Sequence, residues 1–395
     1  MLDVRSINLR YRLMMCAFYG VFCCAFSYVT YCLGAAGYSD KRIGFIVAAA
    51  CLAASIMQPV AGRLADHYPA FIWKKQVIFY ALVEFSAAVL AILLKETALV
   101  GFLYGAMLFL ALVMMPMVNS AGFYYSSRGI EVTFGIARGC GSMSCAAVSF
   151  VLGLITVKFG PVMVPIVNAL LVLLVFVIAL SMPVYAAEEK AEKVAEKAVS
   201  GGDNRSFITK YPVFILMVAG MLLFLFFHNM VQTYFIRMLE NVGGNSKDLG
   251  IAVAIAAAIE LPMLFYFDKL QKKIAAKWLL VVAGAAFTLK GVLFMICTNV
   301  IGIYAVQLLQ VFSFALFAGA GVYYSNSMMA EEDKVTGQAL VSMTEALSSV
   351  AGSFVGGILM DSGGIMTLLQ FATSAAVMGT LVSAAAAKFS KTRNA

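Results

Sequence analysis

Six ionisable side chains lie inside long apolar stretches of this 395-residue chain. They are Glu84, Arg138, His228, Glu260, Lys290 and Glu345. Ionisable groups at membrane depth are costly unless they are paired or hydrated, so they are candidates for function by default. Carboxyl and imidazole groups can bind and release protons, and a planar guanidinium can hold a pair of hydroxyls or a carboxylate. The pattern therefore indicates a polar site in apolar surroundings.

We interpret Arg138 as a clamp for a substrate, and the alternative is a structural ion pair with a neighbouring helix. Glu260 and Glu345 are candidates for a proton carrier, with Lys290 as a cation that adjusts their protonation. A permanent pair between Glu260 and Lys290 is an equally open interpretation of the same two residues.

Uncharged polar side chains cluster in two further stretches. His228, Asn229 and Gln232 share one helical turn, and Gln307 and Gln310 have i,i+3 spacing in another helix. These groups could bind the hydroxyls of a solute. The alternative is hydrogen bonding between helices, worth roughly 0.6 kcal/mol on average. Aromatic faces with polar tips occur in the first apolar stretch at Tyr19, Tyr28 and Tyr31.

The composition places these residues in a membrane. The chain is 63% hydrophobic and 12% charged, with a mean hydropathy of +0.93, whereas soluble proteins are about a quarter charged. Apolar runs of about 20 residues match the length that one helix needs to cross a bilayer. They predict an all-α membrane protein with twelve crossings, at 12–37, 42–65, 76–94, 98–123, 134–157, 161–184, 211–236, 247–267, 277–297, 300–326, 336–360 and 364–387.

The positive charges predict an orientation. If both termini are cytoplasmic, 20 of the 28 Lys and Arg residues lie on the cytoplasmic side, six on the other side and two within the membrane. This asymmetry is the one that sets topology. The net charge of +8 is then explained without a nucleic-acid partner. We expect a multi-pass protein of the bacterial cytoplasmic membrane that acts as a monomer.

A repeat divides the chain in two. AGFYYSS at Ala121–Ser127 returns as AGVYYSN at Ala320–Asn326, and SFVLG from Ser149 returns as SFVGG from Ser353. The repeat predicts an N-terminal six-helix bundle at 1–184 and a C-terminal one at 211–395, joined by a charged linker at 185–210. Small residues concentrate in predicted helices 2, 5, 8 and 11, which suggests that the two bundles meet there.

The sequence carries no motif of an enzyme or of a cofactor site. The eight cysteines form no CxxC pair, so neither a zinc site nor a disulfide framework is indicated. A P-loop and a nucleophile elbow are also absent. We expect no cofactor and no bound metal.

GRLAD at Gly62–Asp66, followed by Lys74 and Lys75, resembles the loop signature of the major facilitator superfamily. With twelve helices and a half-chain repeat, the resemblance covers nearly the whole chain. It implies two bundles that rock about a central site, with Gly62, Asp66, Lys74 and Lys75 closing the cytoplasmic side. It also implies that helices 1, 4, 7 and 10 line the cavity and that Glu84, in helix 3, is structural.

FGIARGCGS at 134–142 resembles the helix-5 segment of the lactose permease type and its oligosaccharide, nucleoside and phenylpropionate relatives. The resemblance implies that Arg138 binds sugar hydroxyls and that Lys290 takes part in coupling. Several positions depart from the pattern. Cys145 replaces a sugar-stacking tryptophan, the sugar-binding glutamate falls at Ser120 near Asn119, and Gln310, Ser313 and Glu345 replace coupling residues.

These resemblances imply a secondary transporter that moves a small polar solute by alternating access in symport with protons. A sugar or oligosaccharide is the first expectation, and a nucleoside or an aromatic acid is the alternative. The expected substrate-binding residues are Arg138, Asn119, His228, Asn229, Gln232, Gln307, Gln310 and Tyr28. An exporter of drugs or metabolites and a sensor that does not transport remain open.

Overall fold

The computed structural model describes residues 4–67, 73–126, 128–184, 207–330 and 333–390, with the backbone alone at 65–67, 264, 265 and 335. The regular structure in these ranges is helical. The long helices follow the apolar runs because, without water, a backbone must satisfy its hydrogen bonds within its own segment.

Six helices form the part that we call the N-terminal half. Helix α1 runs over Val4–Phe22, passes through a π-helical turn at Cys23–Ser27 and ends with Val29–Ala35. The others are α2 at Asp40–His67, α3 at Trp73–Leu93, α4 at Val100–Ser126, α5 at Phe134–Phe159 and α6 at Met163–Ser181.

The C-terminal half contains the other six. A short helix at Phe207–Lys210 precedes α7 at Pro212–Thr233, which continues into Phe235–Asn241. Helix α8 covers Ser246–Gln271 and α9 covers Ala276–Ile296. Helix α10 begins as Val300–Gln307, tightens to a 3-10 turn at Leu308–Val311 and resumes at Phe314–Met328. Continuous helix at Lys334–Phe389 is divided by a kink into α11, at 334–363, and α12, at 365–389.

Ten helical stretches of the described chain are long and apolar enough to cross a membrane. One of them, Thr336–Phe389, contains the kink and supplies two crossings, and α8, with 26 residues, supplies another. The predicted arrangement of twelve helices is confirmed. Because twelve is even, α1 begins and α12 ends on the same face of the bundle. We call this the terminal face and the other the opposite face.

Two breaks in the helices have local causes. Gly364 has φ of 69°, a conformation that glycine adopts without the penalty of a side chain, and it separates α11 from α12. Pro116 lies inside α4 and has no N–H to give to the carbonyl of Leu112. The Gln58 side chain of α2 donates to that carbonyl at 2.8 Å, so the proline also fixes a contact between helices.

The first helix begins earlier than the apolar pattern predicts, at Val4 rather than residue 12. Its polar start is held by contacts within the N-terminal half. Arg10 donates to the carbonyl of Ser181, and Arg12 donates to Thr133 Oγ1 at 2.9 Å. Residues 185–206 of the predicted linker lie outside the described residues, so the domain boundaries stay a prediction.

Candidate functional site

Arg138 lies in the second turn of α5 and has an aromatic partner that the sequence analysis did not assign to it. Its guanidinium carbon is 4.1 Å from the centroid of the Tyr19 ring of α1, a cation–π contact. Tyr19 is buried and its ring occupies the space beside Gly141 of α5, where a Cβ would collide with it. Among the described residues, no carboxylate oxygen lies within 4.0 Å of Arg138. The donors of the guanidinium are therefore available to a solute.

Lys290 and Glu260 are joined through Gln310 and do not form a direct pair. Lys290 Nζ donates to Gln310 Oε1 at 2.6 Å, and Gln310 Nε2 donates to Glu260 Oε1 at 3.0 Å. These residues come from α9, α10 and α8, so the chain of hydrogen bonds connects three helices of the C-terminal half. Lys290 is 4% exposed and Gln310 is 2% exposed. The amide separates the two charges and satisfies both.

The side chain of Glu345 in α11 is exposed. The charge of Arg138 acts on Glu345 and on Glu260, so the three groups are close enough to interact electrostatically. Arg138 belongs to the N-terminal half and both glutamates belong to the C-terminal half, which places the charged cluster between the halves.

The polar turn of α7 is divided between two environments. The His228 ring stacks on Phe314 of α10 with a centroid distance of 4.7 Å, and it is buried beside Phe287. Asn229 donates to Ser348 Oγ of α11 at 2.8 Å, which is the interhelical bonding that the sequence analysis gave as its alternative. Gln232 is half-buried.

The remaining predicted binding residues also differ in their surroundings. Tyr28 is buried and its hydroxyl donates to the carbonyl of Ser149 at 2.8 Å, which ties α1 to α5. Asn119 Oδ1 and Gln307 Oε1 are both buried without a hydrogen-bond partner. Buried unsatisfied oxygens of this kind favour a ligand or a water molecule as the missing donor. Asn119 and Gln307 are therefore better candidates than Tyr28 for contact with a solute.

At the opposite face, polar contacts close the two halves against each other. Arg237 lies in the short helix that continues α7. Its Nε donates to Asp40 Oδ1, at the start of α2, at 2.9 Å. The backbone N–H of Lys41 donates to Asp361 Oδ1 of α11 at 3.2 Å. The Tyr234 hydroxyl donates to the carbonyl of Asp40 at 3.2 Å. We call the contacts of these five residues the opposite-face latch.

Glycines allow the closure to be tight. A Cβ at Gly44 of α2 would collide with the carbonyl of Ser353 in α11, and Gly153 of α5 packs directly on Gly250 of α8. The pairs α2 with α11 and α5 with α8 are the small-residue helices of the sequence, so the prediction that the halves meet there is confirmed at these contacts.

The terminal face is different, because the hydrogen bonds described there stay within one half. Lys74 Nζ donates to the carbonyls of Leu180 and Met182 at 2.9 and 2.6 Å, where it caps the end of α6. Lys75 is exposed, and a Cβ at Gly62 would meet no atom within 4 Å. The side chain of Asp66 lies outside the described residues. Among the described residues, the polar contacts that latch the two halves together thus lie at the opposite face.

A depression of about 480 Å³ lies between α9 and α10. Its lining includes Leu293, Cys297, Asn299 and Leu309 and none of the predicted site residues. Within the described residues, no group of three or more His, Cys, Asp or Glu side chains could hold a metal ion. The residues that can supply chemistry at the central site are Arg138, Glu260, Glu345, Lys290 and the Gln310 amide that contacts Lys290.

Sequence reasoning located the charged residues and missed two of their partners. Tyr19 was noted as one of three aromatic faces, but its contact with Arg138 depends on how α1 packs on α5. The assignment of Gln310 to solute binding stays a prediction, and its hydrogen bonds to Lys290 and Glu260 were not predicted. A pattern within one helix carries no signal for either contact.

This fold and this central site define a class of protein, the membrane transporters built from two six-helix halves. The model of the MFS_1 like family matches residues 8–371. The chain therefore belongs to the MFS_1 like family and is a multi-pass membrane transporter, not an enzyme.

Known proteins resemble the chain at low sequence identity. A variant of the nucleoside transporter NupG superposes with a TM-score of 0.77, at 16% identity, over 97% of this chain and 100% of that one. A bacterial homolog of the human lysosomal transporter Spinster, in an inward-facing and unoccupied conformation, superposes with a TM-score of 0.66. The identity is 14%, over 98% of this chain and 96% of that one. Both likenesses concern the fold.

A sequence relative is the major facilitator superfamily domain-containing protein 6-like protein B of Xenopus laevis. It is 22% identical over 175 residues, which are 43% of this chain and 26% of that protein. The chain thus matches about a quarter of that relative's length. The narrower resemblance to the lactose permease type stays a prediction.

Proposed function

We propose that this transporter takes up a small polar solute with vicinal hydroxyls together with a proton, as a monomer with both termini in the cytoplasm. The observation that carries the proposal is the charged cluster, in which Arg138 of the N-terminal half and Glu260 and Glu345 of the C-terminal half are close enough to interact electrostatically. Free sugars remain the first class of solute. Nucleosides are the second class, because their ribose also carries a pair of vicinal hydroxyls. In addition, NupG, whose fold is similar, is a nucleoside transporter.

Arg138 is the residue expected to hold the solute. Its five N–H donors have a fixed planar geometry that matches a pair of oxygens, and the Tyr19 ring supports the face of the guanidinium. Asn119 and Gln307 offer buried oxygens without a partner as acceptors for further hydroxyls.

The two glutamates would couple the proton to the movement. An ionised Glu260 or Glu345 attracts Arg138 across the interface between the halves. Protonation of one carboxyl removes that attraction and changes the relative free energy of the open and closed states. A solute on Arg138 would compensate the charge, so solute and proton would favour the same transition.

The proposal is tested in proteoliposomes by following external pH while sugars, nucleosides and aromatic acids are added in turn. We expect the external medium to become more alkaline when one of these classes of solute is added, because protons enter the vesicles together with that solute. Replacing Arg138 with Gln should abolish binding of that solute. Glu260→Gln and Glu345→Gln should leave binding intact and remove the pH response in at least one of the two variants. Lys95→Gln, at an exposed loop pair with Glu96, is the control.

Three results would contradict the proposal. Net outward movement of preloaded lipophilic solutes would indicate an exporter. Binding of a solute without flux would indicate a sensor. Normal pH dependence of uptake in both glutamate variants would remove the proton carriers, even if the solute is transported.

A further inference from the structure

A second buried carboxyl lies far from the charged cluster, within the core of the N-terminal half. Glu84 of α3 and Asn168 of α6 are both 0% exposed. Asn168 Nδ2 donates to Glu84 Oε1 at 3.4 Å and to the carbonyl of Val21 at 3.4 Å. Val21 lies just before the π-helical turn of α1, so the amide of α6 contacts two other helices, α1 and α3.

If Glu84 is ionised, two oxygen atoms of this pair have no hydrogen-bond donor. Glu84 Oε2 and Asn168 Oδ1 are both buried and both lack a partner. An ionised carboxylate only accepts hydrogen bonds, and the amide oxygen also only accepts. An ionised Glu84 therefore leaves two buried acceptors unsatisfied, and each costs free energy in an apolar interior.

The charge would also have no counterion. No ammonium or guanidinium nitrogen of the described residues lies within 4.0 Å of Glu84. From α6 the group that faces it is the uncharged Asn168, and from the π-helical turn of α1 it is the thiol of Cys24. A lone carboxylate in such a place is far less stable than the neutral acid.

We propose that Glu84 carries a permanent proton and forms a cyclic acid–amide pair with Asn168. In this pair Glu84 Oε2–H donates to Asn168 Oδ1, while Asn168 Nδ2–H donates to Glu84 Oε1. One proton removes the charge and gives both orphaned oxygens a partner. The second N–H of the amide remains on the carbonyl of Val21, which holds α1 in place next to its π-helical turn.

This site differs in role from Glu260 and Glu345. Helices α1, α3 and α6 all belong to the N-terminal half, so the pair need not break when one half moves relative to the other. The proton is retained and serves to join helices. The proposal does not depend on which solute is transported or on whether a proton accompanies it.

The test compares two substitutions at Glu84 in the full-length protein. Glu84→Gln has the shape and hydrogen-bonding groups of the protonated acid, because its amide N–H can donate to Asn168 Oδ1. We expect its thermal unfolding temperature and uptake to equal those of the wild type. Glu84→Leu keeps a similar size but leaves Asn168 unpaired, and we expect it to unfold several degrees lower.

Infrared spectroscopy observes the proton directly. At neutral pH the wild type should show the carbonyl stretch of a protonated carboxylic acid that shifts in heavy water, and Glu84→Gln should lose this band. Glu96→Gln, at an exposed residue, should retain it. The proposal is overturned if no band depends on Glu84, if Glu84→Gln is as unstable as Glu84→Leu, or if Glu84→Gln loses a proton coupling that the wild type shows.

Discussion

At the scale of single residues, the candidate site depends on partners that hold the charged groups in place. Arg138 is supported by a ring and not by an acid, and Lys290 is bridged to Glu260 by an amide. These arrangements keep charges in a lipid environment while leaving donors and carboxyl groups free. Each partner can be removed separately from the group that it supports.

The first prediction concerns Tyr19. Replacing it with Phe keeps the ring under the guanidinium, so affinity for the transported solute should change less than twofold. Replacing it with Leu removes the cation–π contact, worth about 1 kcal/mol, so affinity should fall about fivefold. The measurement is the apparent dissociation constant in purified protein.

Gly141→Ala is an independent variant for the same contact. Its methyl group would occupy the space of the Tyr19 ring, so we expect it to weaken binding as Tyr19→Leu does. If Phe and Leu at position 19 have equal affinities, Tyr19 does not position Arg138.

The second prediction concerns Gln310. Gln310→Leu leaves the ammonium of Lys290 and the carboxyl of Glu260 without their shared partner, which should lower the free energy of unfolding by about 2 kcal/mol. Combining it with Lys290→Met should cost less than the sum of the two single changes, because both act on one network. A double-mutant cycle from thermal or denaturant unfolding measures this coupling, and strict additivity would argue against the bridge.

The sequence could identify the charged residues of the site but not how they pair. Each one stands out because it interrupts an apolar run, and that signal lies within one segment. The contact between Tyr19 and Arg138 joins residues 119 positions apart, and that between Glu260 and Gln310 joins residues 50 apart. Such contacts depend on the rotation of packed helices, which composition does not determine.

At the scale of helices, apolar length predicted the crossings well and their ends less well. Hydropathy detects the part of a helix that lies in hydrocarbon, whereas α1 and α11 extend beyond it with polar turns. The π-helical turn in α1 and the 3-10 turn in α10 carry no proline and were not predicted. The break before α12 was predicted as a loop and is a kink at Gly364.

The third prediction concerns the beginnings of α7 and α11 at the terminal face. Lys210 Nζ and the Tyr211 hydroxyl both donate to Asp333 Oδ2 at 2.7 Å, and they lower the pKa of the Asp333 carboxyl below its ordinary value. The contact therefore stabilises the protein at pH values above the ordinary pKa of aspartate, about 3.9, and is lost as the pH falls through the lower folded value.

Asp333→Asn should thus unfold at a slightly lower temperature than the wild type at neutral pH. The difference should shrink as the pH falls below about 4, because the wild-type carboxyl is then protonated. Thermal unfolding across this pH range measures the effect, and Glu96→Gln is the exposed control. A difference that grows toward low pH would have the wrong sign.

At the scale of the whole molecule, the repeat and the small-residue helices predicted two halves that meet at α2 with α11 and at α5 with α8. These meeting points were predictable because close packing of helices in lipid requires small residues, and small residues can be recognised in the sequence. The face at which polar contacts join the halves was not predictable, because these contacts depend on how the packed helices are oriented. The opposite-face latch exists in the state that this structure represents.

The last prediction tests that latch with a cysteine that the chain already has. Cys51 of α2 is 4% exposed and its Sγ lies 3.4 Å from Ser349 Oγ of α11, so it is covered while the opposite face is closed.

Gly44→Ala would force α2 away from Ser353, and Arg237→Gln would remove the ion pair to Asp40. Both variants should raise the rate at which a membrane-impermeant maleimide labels Cys51 from the opposite face. We expect about a tenfold increase for Gly44→Ala, because closure then costs about 1.4 kcal/mol extra. Gly135→Ala, where an added methyl meets no atom within 4 Å, should label like the wild type. Mass spectrometry assigns the label among the eight cysteines, and equal rates in all variants would show that these contacts do not hold the halves closed.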